Sequence, residues 1–146
     1  MNLNDISDFM LAGGQHVPGH PNWTPSPFEV DQYISRVESE LEETITATWG
    51  SPEDYVRAEL TGETFNAIPD VPEVVDGFLD IAYVAFTGAL NVAGLEKTRE
   101  AWLAIVDANL AKVDGRHGEV VTDPDTGKIL KPEGWQAPDI EGILGK

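Results

Sequence analysis

The feature that most constrains this chain is a long apolar stretch, VPEVVDGFLDIAYVAFTGALNVA, which starts at Val71 and runs to about residue 93. Its length and the glycine that follows it, Gly94, predict a central helix that ends near that glycine. Because apolar side chains cover most of its circumference, we expect this helix to be buried among other helices. The chain is therefore expected to be all-α and to fold as a helical bundle.

Two further long helices are predicted from apolar residues that recur at three- and four-residue steps. The first spans Pro27–Trp49 and is closed by Gly50. The second runs over residues 95–113 and is ended by Gly115. Together with the central helix they supply the apolar faces from which a bundle is built.

Shorter elements complete the predicted fold. Helices are expected over residues 5–11, before two glycines, and from an N-cap at Ser51 to about residue 60, with a loop over residues 61–70. In the tail, residues 119–122 and 128–131 are β-prone and flank turn-forming residues, which predicts a short C-terminal β-hairpin. A length of 146 residues fits one domain, residues 1–146.

Charge and composition restrict the function classes. With 26 acidic and 9 basic side chains, the formal charge of -17 disfavours nucleic acid and anionic membranes as partners. The absence of cysteine excludes disulfides, a thiolate nucleophile and cysteine-based metal sites. No basic, apolar leader and no uninterrupted run of about 18 apolar residues stands in the sequence, so we expect a cytoplasmic protein without a membrane partner.

Three carboxylates lie on one face of the predicted central helix. Glu73, Asp76 and Asp80 stand at i, i+3 and i+7, and ionised groups on a buried face are costly unless a cation compensates them. Oxygen ligands of this kind suit Mg²⁺ or Mn²⁺. The alternative is an acidic helix start favoured by the helix dipole, which accounts for Glu73 better than for Asp80.

The preceding helix carries a second acidic group in the segment RVESELEET. Glu40 and Glu43, at i and i+3, could chelate a metal together; Glu38 and Glu42, at i and i+4, form the competing pair. A glutamate-rich helix face is also common on protein surfaces, so spacing alone leaves all three interpretations open.

Polar and basic residues later in the chain are candidates for binding an anionic substrate. Asn109 falls within an apolar stripe, where it would either face the site with Lys112 one turn on or bond to a neighbouring backbone. Lys128 and Lys131 stand close to Trp135 in the tail, where they would either cover substrate phosphates or pack the hairpin on the bundle.

These motifs resemble those of the MazG-like all-α nucleoside triphosphate pyrophosphohydrolases, which carry ExxE on one helix and ExxD on the next. Glu40-Leu41-Glu42-Glu43 and Glu73-Val74-Val75-Asp76 meet this pattern. The segments DGFLDIAYVAFTGALNVAG, ANLAK, GKILKPEGWQAPD and FMLAGGQHVP are similar to phage and bacterial members, so the resemblance spans almost the whole chain. One departure is Ser39, which stands where the family has the first glutamate of EExxE.

The resemblance implies Mg²⁺-dependent hydrolysis of an NTP or dNTP to the monophosphate and diphosphate, with dGTP or dUTP as leading substrates. It implies two or more Mg²⁺ ions, replaceable by Mn²⁺, in a homodimer or a dimer of dimers that acts in nucleotide pool control, in the host cytoplasm if phage-encoded. The implied metal ligands are Glu40, Glu43, Glu73, Asp76 and Asp80, with Glu40 and Glu43 also catalytic. The implied substrate-binding residues are Gln15, Asn109, Lys112, Lys128 and Lys131, with Gln15 near the base.

Two rival functions remain from the sequence. One is a non-catalytic helical interaction module that binds metal without turnover. The other is a phosphoribosyl-ATP pyrophosphohydrolase, which shares the fold of the resembled family and differs in its substrate.

Overall fold

A computed structural model describes residues 2–63 and 67–146 of the chain. Over these residues the protein is all-α, as the periodicity predicted. Its helices are α1 Leu3–Ala12, α2 Pro27–Trp49, α3 Pro52–Thr61, α4 Val71–Leu110 and α5 Ile140–Leu144. The predicted loop over residues 61–70 begins one residue too early, because α3 includes Thr61, and its residues 64–66 lie outside the described part.

The ends of α2 and α3 follow from local capping chemistry. Before α2, the backbone N–H of Ser26 donates to the Glu29 carboxylate at 2.8 Å, and Gly50 ends the helix in a left-handed conformation with φ of 87°. The Ser51 hydroxyl then accepts from the Asp54 backbone N–H at 3.1 Å and begins α3. The predicted bounds of α2 are confirmed, and α3 ends within one residue of its prediction.

Gly94 interrupts α4 and folds its second half back along the first. Its φ of 75° and ψ of 171° are not helical, and a Cβ atom here would collide with the carbonyl oxygen of Pro18. Across the bend, the Thr98 hydroxyl donates to the Ala89 carbonyl oxygen at 3.2 Å. The predicted break at Gly94 is confirmed, whereas α4 ends at Leu110, before the predicted end at residue 113.

The two longest helices, α2 and α4, pack in antiparallel fashion at two glycines. A Cβ atom on Gly88 would lie 3.1 Å from the Tyr33 Cβ atom, and one on Gly77 would collide with the Thr44 hydroxyl. Glycine at both positions allows the helix axes to approach closely. These two contacts fix which residues of α2 lie opposite which residues of α4.

The fully buried core is small and lies where α1 crosses α4. Leu3, Ile6 and Met10 of α1 pack around Leu90 of α4. The partly buried side chains around them are Val17, Tyr33, Tyr83, Phe86 and Leu95.

The expected burial of the central helix is wrong for the single chain. Val75, Phe78 and Leu79 are 52%, 61% and 63% exposed. Apolar periodicity identifies a face that avoids water but not what covers it. Among the described helices, α4 alone is long and apolar enough to cross a membrane, with a mean hydropathy of 1.5 in its most apolar window; core helices of soluble proteins meet the same criteria.

The C-terminal tail differs from its prediction in two ways. The expected hairpin is a turn closed by a single antiparallel bridge between Thr122 and Ile129, and no strand forms among the described residues. The Asp123 carboxylate stabilises the turn by accepting from the Thr126 backbone N–H at 2.8 Å. The short helix α5 was not predicted; the Asp139 carboxylate caps it by accepting from the Gly142 N–H at 2.8 Å.

Candidate metal centre

The crossing of α2 and α4 brings carboxylates from both helices together. Thr44 packs against Gly77, and its hydroxyl donates to the Glu40 carbonyl oxygen at 2.7 Å, one turn earlier on α2. Because the helices are antiparallel, one turn back on α2 lies opposite about one turn forward on α4. Glu40 therefore lies opposite Asp80.

Electrostatics show that Glu40 shares its surroundings with three other carboxylates. Partial burial raises its pKa, and the negative charges of Glu43, Asp80 and Asp76 raise it further. Two of these groups come from α2 and two from α4. We call Glu40, Glu43, Asp76 and Asp80 the carboxylate cluster.

Beside this cluster lies an open cleft of about 660 Å³, at the end of α2 and the start of α4. Glu43 belongs both to the cluster and to the cleft, and Glu73 lines the cleft without contributing to the raised pKa of Glu40. The complete lining is Ser39, Glu42, Glu43, Thr46, Ala47, Gly50, Ile68, Asp70 and Glu73. Three of the predicted metal ligands thus lie near enough to a fourth, Glu40, to raise its pKa, and the fifth, Glu73, lines the cleft.

The cluster suits a hard divalent cation by its chemistry. Its donors are all carboxylate oxygens, which Mg²⁺ and Mn²⁺ prefer, and a bound cation would cancel the repulsion that raises the pKa of Glu40. Within the part of the chain that the structure describes, no group of three acidic or histidine side chains is arranged so that it could hold a metal.

The four glutamates of the segment RVESELEET divide between separate surfaces. Glu40 and Glu43 lie in the cluster, Glu42 borders the cleft, and Glu38 lines an apolar groove with Tyr33 and Val92. Of the two pairs that spacing allowed, only Glu40 with Glu43 comes together with the α4 carboxylates.

Sequence reasoning missed Asp70 as a residue of the cleft. Its carboxylate lies 3.4 Å from the Glu73 backbone N–H at the start of α4, and its own N–H donates to the Ala47 carbonyl oxygen at 2.9 Å. Asp70 therefore joins the start of α4 to the end of α2. Its position before Pro72 is an N-cap signature that could have identified it.

The environment expected for Asn109 is wrong, because its side chain is exposed and not inward-facing. Its amide donates to the Ile105 carbonyl oxygen at 2.9 Å, and its side-chain oxygen accepts from Lys112 at 2.7 Å. Both bonds stay within one segment of chain. Side-chain oxygen and nitrogen atoms that bond locally do not need a buried partner, which the apolar periodicity of α4 could not reveal.

Two of the predicted phosphate-binding lysines meet at Trp135. The Lys112 and Lys131 ammonium groups lie 5.2 and 4.6 Å from the centre of its ring, and the indole N–H donates to the Ala108 carbonyl oxygen at 2.6 Å. Lys128 is exposed in the nearby turn. Over residues 2–63 and 67–146, none of these lysines forms an ion pair with the carboxylate cluster.

Gln15, by contrast, lies against α2. Its backbone N–H donates to the Met10 carbonyl oxygen at 2.8 Å, and its side-chain oxygen lies 3.5 Å from a guanidinium nitrogen of Arg36. Arg36 precedes Glu40 by one helical turn, so Gln15 meets α2 one turn before the first residue of the cluster.

In comparisons with known proteins, neither a family model nor a curated protein matches the chain. The resemblance of the ExxE and ExxD motifs therefore stays a prediction. What the structure adds to it is that Glu43, Asp76 and Asp80 lie near enough to Glu40 for their charges to raise its pKa.

Proposed function

We propose that this protein is a Mg²⁺-dependent nucleoside triphosphate pyrophosphohydrolase, which converts an NTP or dNTP and water into the monophosphate and diphosphate. The observation that carries the proposal is the carboxylate cluster at the crossing of α2 and α4, in which partial burial and the charges of Glu43, Asp80 and Asp76 raise the pKa of Glu40. Such a surface is costly without cations and becomes useful when cations join it to an anionic substrate. The resemblance of the ExxE and ExxD motifs supports the same reaction.

In this proposal the two helices divide the binding of two or more metal ions. Glu40 and Glu43 would bind from α2, and Asp76 and Asp80 from α4, with Glu73 extending the site into the cleft. Bound Mg²⁺ supplies neutralisation of phosphate charge and a lowered pKa for the attacking water. Either Glu40 or Glu43 would take the proton from that water as it attacks the α-phosphorus and diphosphate leaves. Ser39 occupies the position where the resembled family has a metal-binding glutamate, and Asp80 would supply the missing carboxylate.

A homodimer or dimer of dimers is part of the proposal. Its support is the apolar surface of the single chain, where Val75, Phe78 and Leu79 of α4 are more than half exposed. Exposed apolar patches of this kind favour association with another surface. A second copy would also offer a way to bring Asn109 and the lysines around Trp135 to a carboxylate cluster that they do not contact within one chain.

We further propose that the substrate is a deoxynucleotide, with dGTP and dUTP as first candidates, and that the protein controls nucleotide pools in the cytoplasm. The formal charge of -17 is compatible with a nucleotide that binds as its Mg²⁺ complex, because the cation offsets the negative charge of the phosphates. The same charge disfavours nucleic acid and anionic membranes as partners.

The decisive experiment is a panel of NTPs, dNTPs and phosphoribosyl-ATP, assayed with Mg²⁺ and with Mn²⁺ for diphosphate release and monophosphate formation. Metal-dependent turnover of an NTP or dNTP is the expected result. Turnover of phosphoribosyl-ATP alone would assign the related activity. Tight metal binding without turnover of any substrate would contradict the proposal and identify a metal-binding interaction module.

A further inference from the structure

The accessible surface of the single chain is larger than its mass requires. The chain exposes 9903 Å² to water. A folded monomer of 15.9 kDa is expected to expose about 7,400 Å², so this chain leaves about 2,500 Å² more surface in water than a self-contained protein of its size. Obligate dimers bury about 1,000 to 2,500 Å² on each chain. The excess is therefore as large as the surface that a stable dimer covers.

Exposed apolar side chains are concentrated on one face of the α2–α4 pair. On α4, Phe78, Ala85 and Ala89 are exposed and fall within about 40° of one another around the helix axis, at 3.6 residues per turn. On α2, Ile34 and Leu41 are 50% and 46% exposed and stand seven residues apart, so they also share one side of their helix. We call these five residues the apolar face.

The apolar face is concave where the two helices meet. A groove of about 320 Å³ runs between them, and its lining joins Ile34 of α2 to Ala85 and Ala89 of α4. Among the described residues that line this groove, Glu38 alone is charged. Small residues on one helix leave room for a larger side chain from another surface. The groove can therefore receive an aromatic side chain.

The apolar face points away from the carboxylate cluster. At 100° per residue, Asp76 and Asp80 lie about 140 to 180° around α4 from the three α4 residues of the apolar face. A partner on the apolar face would thus leave the carboxylates of α4 on the opposite side of their helix.

A second copy of this chain is the occupant that the apolar face fits best. With a formal charge of -17, two copies repel each other wherever charged surfaces meet, so they can approach closely only through a face with few charges. In a two-fold dimer the same patch meets itself and must be self-complementary. A face that carries both an exposed phenylalanine and a groove beside two alanines meets this requirement.

We propose that two copies of this chain pair through the apolar face, with Phe78 of each copy entering the groove beside Ala85 and Ala89 of the other. The inference rests on the homodimer of the proposed function and deepens it by naming the face that is covered. It draws on surface area and exposure alone, and it requires neither bound metal nor turnover.

The first test is sedimentation velocity of the metal-free protein. The wild type should sediment with about twice the mass of 15.9 kDa. Ala85→Glu introduces an unpaired charge into the proposed contact and should weaken dimerisation by about 100-fold or more. Ala12→Glu makes the same change at an exposed position at the end of α1 and is the matched control, which should remain a dimer.

Thiol labelling keeps the inference testable if Ala85→Glu does not fold. The chain contains no cysteine, so a single introduced thiol reports on one position. Ala85 is exposed in the single chain, and pairing would cover it; the thiol of Ala85→Cys should therefore react with a disulfide reagent about 10-fold or more slowly than that of Ala12→Cys at protein concentrations well above the dimer Kd.

Three outcomes would overturn the inference: a monomeric wild type, an Ala85→Glu variant that stays as dimeric as Ala12→Glu, or equal labelling rates in the two cysteine variants. A monomer that floats with neutral phosphatidylcholine vesicles would also overturn it and assign the apolar face to a lipid surface. The nucleotide panel tests the proposed function separately. A dimer through this face without turnover of any nucleotide would support the inference and contradict the pyrophosphohydrolase, and turnover by a monomeric wild type would do the reverse.

Discussion

The two ends of the α2–α4 pair are built from different kinds of side chain. Near the contact of Gly88 with Tyr33, α1 lays Leu3, Ile6 and Met10 over Leu90, and the side chains exclude water. Near the contact of Gly77 with Thr44, the residues that meet are small, and the carboxylates of Glu40, Asp76 and Asp80 lie close by. The same helix pair thus holds an apolar core at one end and a concentration of negative charge at the other.

The two ends of the helix pair are expected to have different roles: the apolar end stabilises the fold, and the carboxylate end is the candidate site for function. Burial of apolar side chains drives folding, so the Leu90 end contributes stability without any ligand. Mutual repulsion at the carboxylate end opposes folding, and the proposed cations would relieve it. The two ends are therefore expected to respond differently to mutation and to metal.

The largest expected effect is on activity at the carboxylate end. Glu43→Gln or Asp76→Asn should lower kcat by about 1,000-fold or more, equivalent to about 4 kcal/mol of barrier, because each removes a charged oxygen ligand. Turnover is measured by diphosphate release with Mg²⁺. Glu38→Gln is the matched control, since it makes the same change on the same helix but at the apolar groove. Near wild-type rates in both variants would remove the carboxylate cluster from the mechanism.

The next effect concerns stability at the apolar end. Leu90 is fully buried, and Leu90→Ala should lower the free energy of unfolding by about 2 to 5 kcal/mol through lost burial and the cavity left behind. Urea denaturation measures the change. Val120→Ala, at a half-exposed loop position, is the control and should change stability by less than about 0.5 kcal/mol. Mn²⁺ affinity should be unchanged in folded Leu90→Ala; a parallel loss would mean that the two ends are not independent.

A smaller effect is expected where helix packing supports the cluster. In Gly77→Ala the new Cβ atom would collide with the Thr44 hydroxyl, so α2 and α4 must separate, at a cost of about 1 to 3 kcal/mol. Mn²⁺ affinity should fall as well, because the α2 carboxylates move away from those of α4. Gly19→Ala is the control, since a Cβ atom there meets no neighbour within 4 Å. Unchanged Mn²⁺ affinity in Gly77→Ala would show that the packing does not set the metal site.

The helices could be predicted from sequence because their signals are local. Apolar steps along α2, the Ser51 cap and the break at Gly94 depend on neighbouring residues alone. The tail was less predictable for the same reason: β-prone residues around Asp123 form one bridge in place of two strands, since no further strand pairs with them among the described residues. The five-residue helix α5 has too few turns to show periodicity.

The candidate site could be predicted only in part. Spacing placed Glu73, Asp76 and Asp80 on one face of the central helix and left Glu40 with Glu43 as one of two possible pairs on the preceding helix. Which of these carboxylates approach one another depends on where α2 crosses α4. That register is fixed by Gly77 against Thr44, a contact between residues 33 positions apart in the sequence.

The smallest expected effect is the change in Tm caused by Glu40→Gln, which should be positive without metal and negative with it. Without divalent cations at neutral pH, Glu40→Gln should raise Tm by about 1 to 2 °C, because it removes like-charge repulsion worth about 0.5 kcal/mol. With saturating Mn²⁺ the wild type should become the more stable protein, since the cation then binds a complete cluster. Differential scanning calorimetry measures both conditions. Glu38→Gln is the control and should show no such reversal.

The pH dependence of the metal-free protein sharpens this test. Glu40 has a higher pKa in the folded state than in the unfolded state, so the native protein takes up its proton first as pH falls. This contribution to stability is fully present below the unfolded pKa and is lost as pH rises through the folded pKa. The stability advantage of Glu40→Gln should therefore be greatest at neutral pH and shrink on acidification. If the advantage stays constant with pH, the charge on Glu40 does not oppose folding. Repulsion among the carboxylates would then make no contribution to the free energy of unfolding.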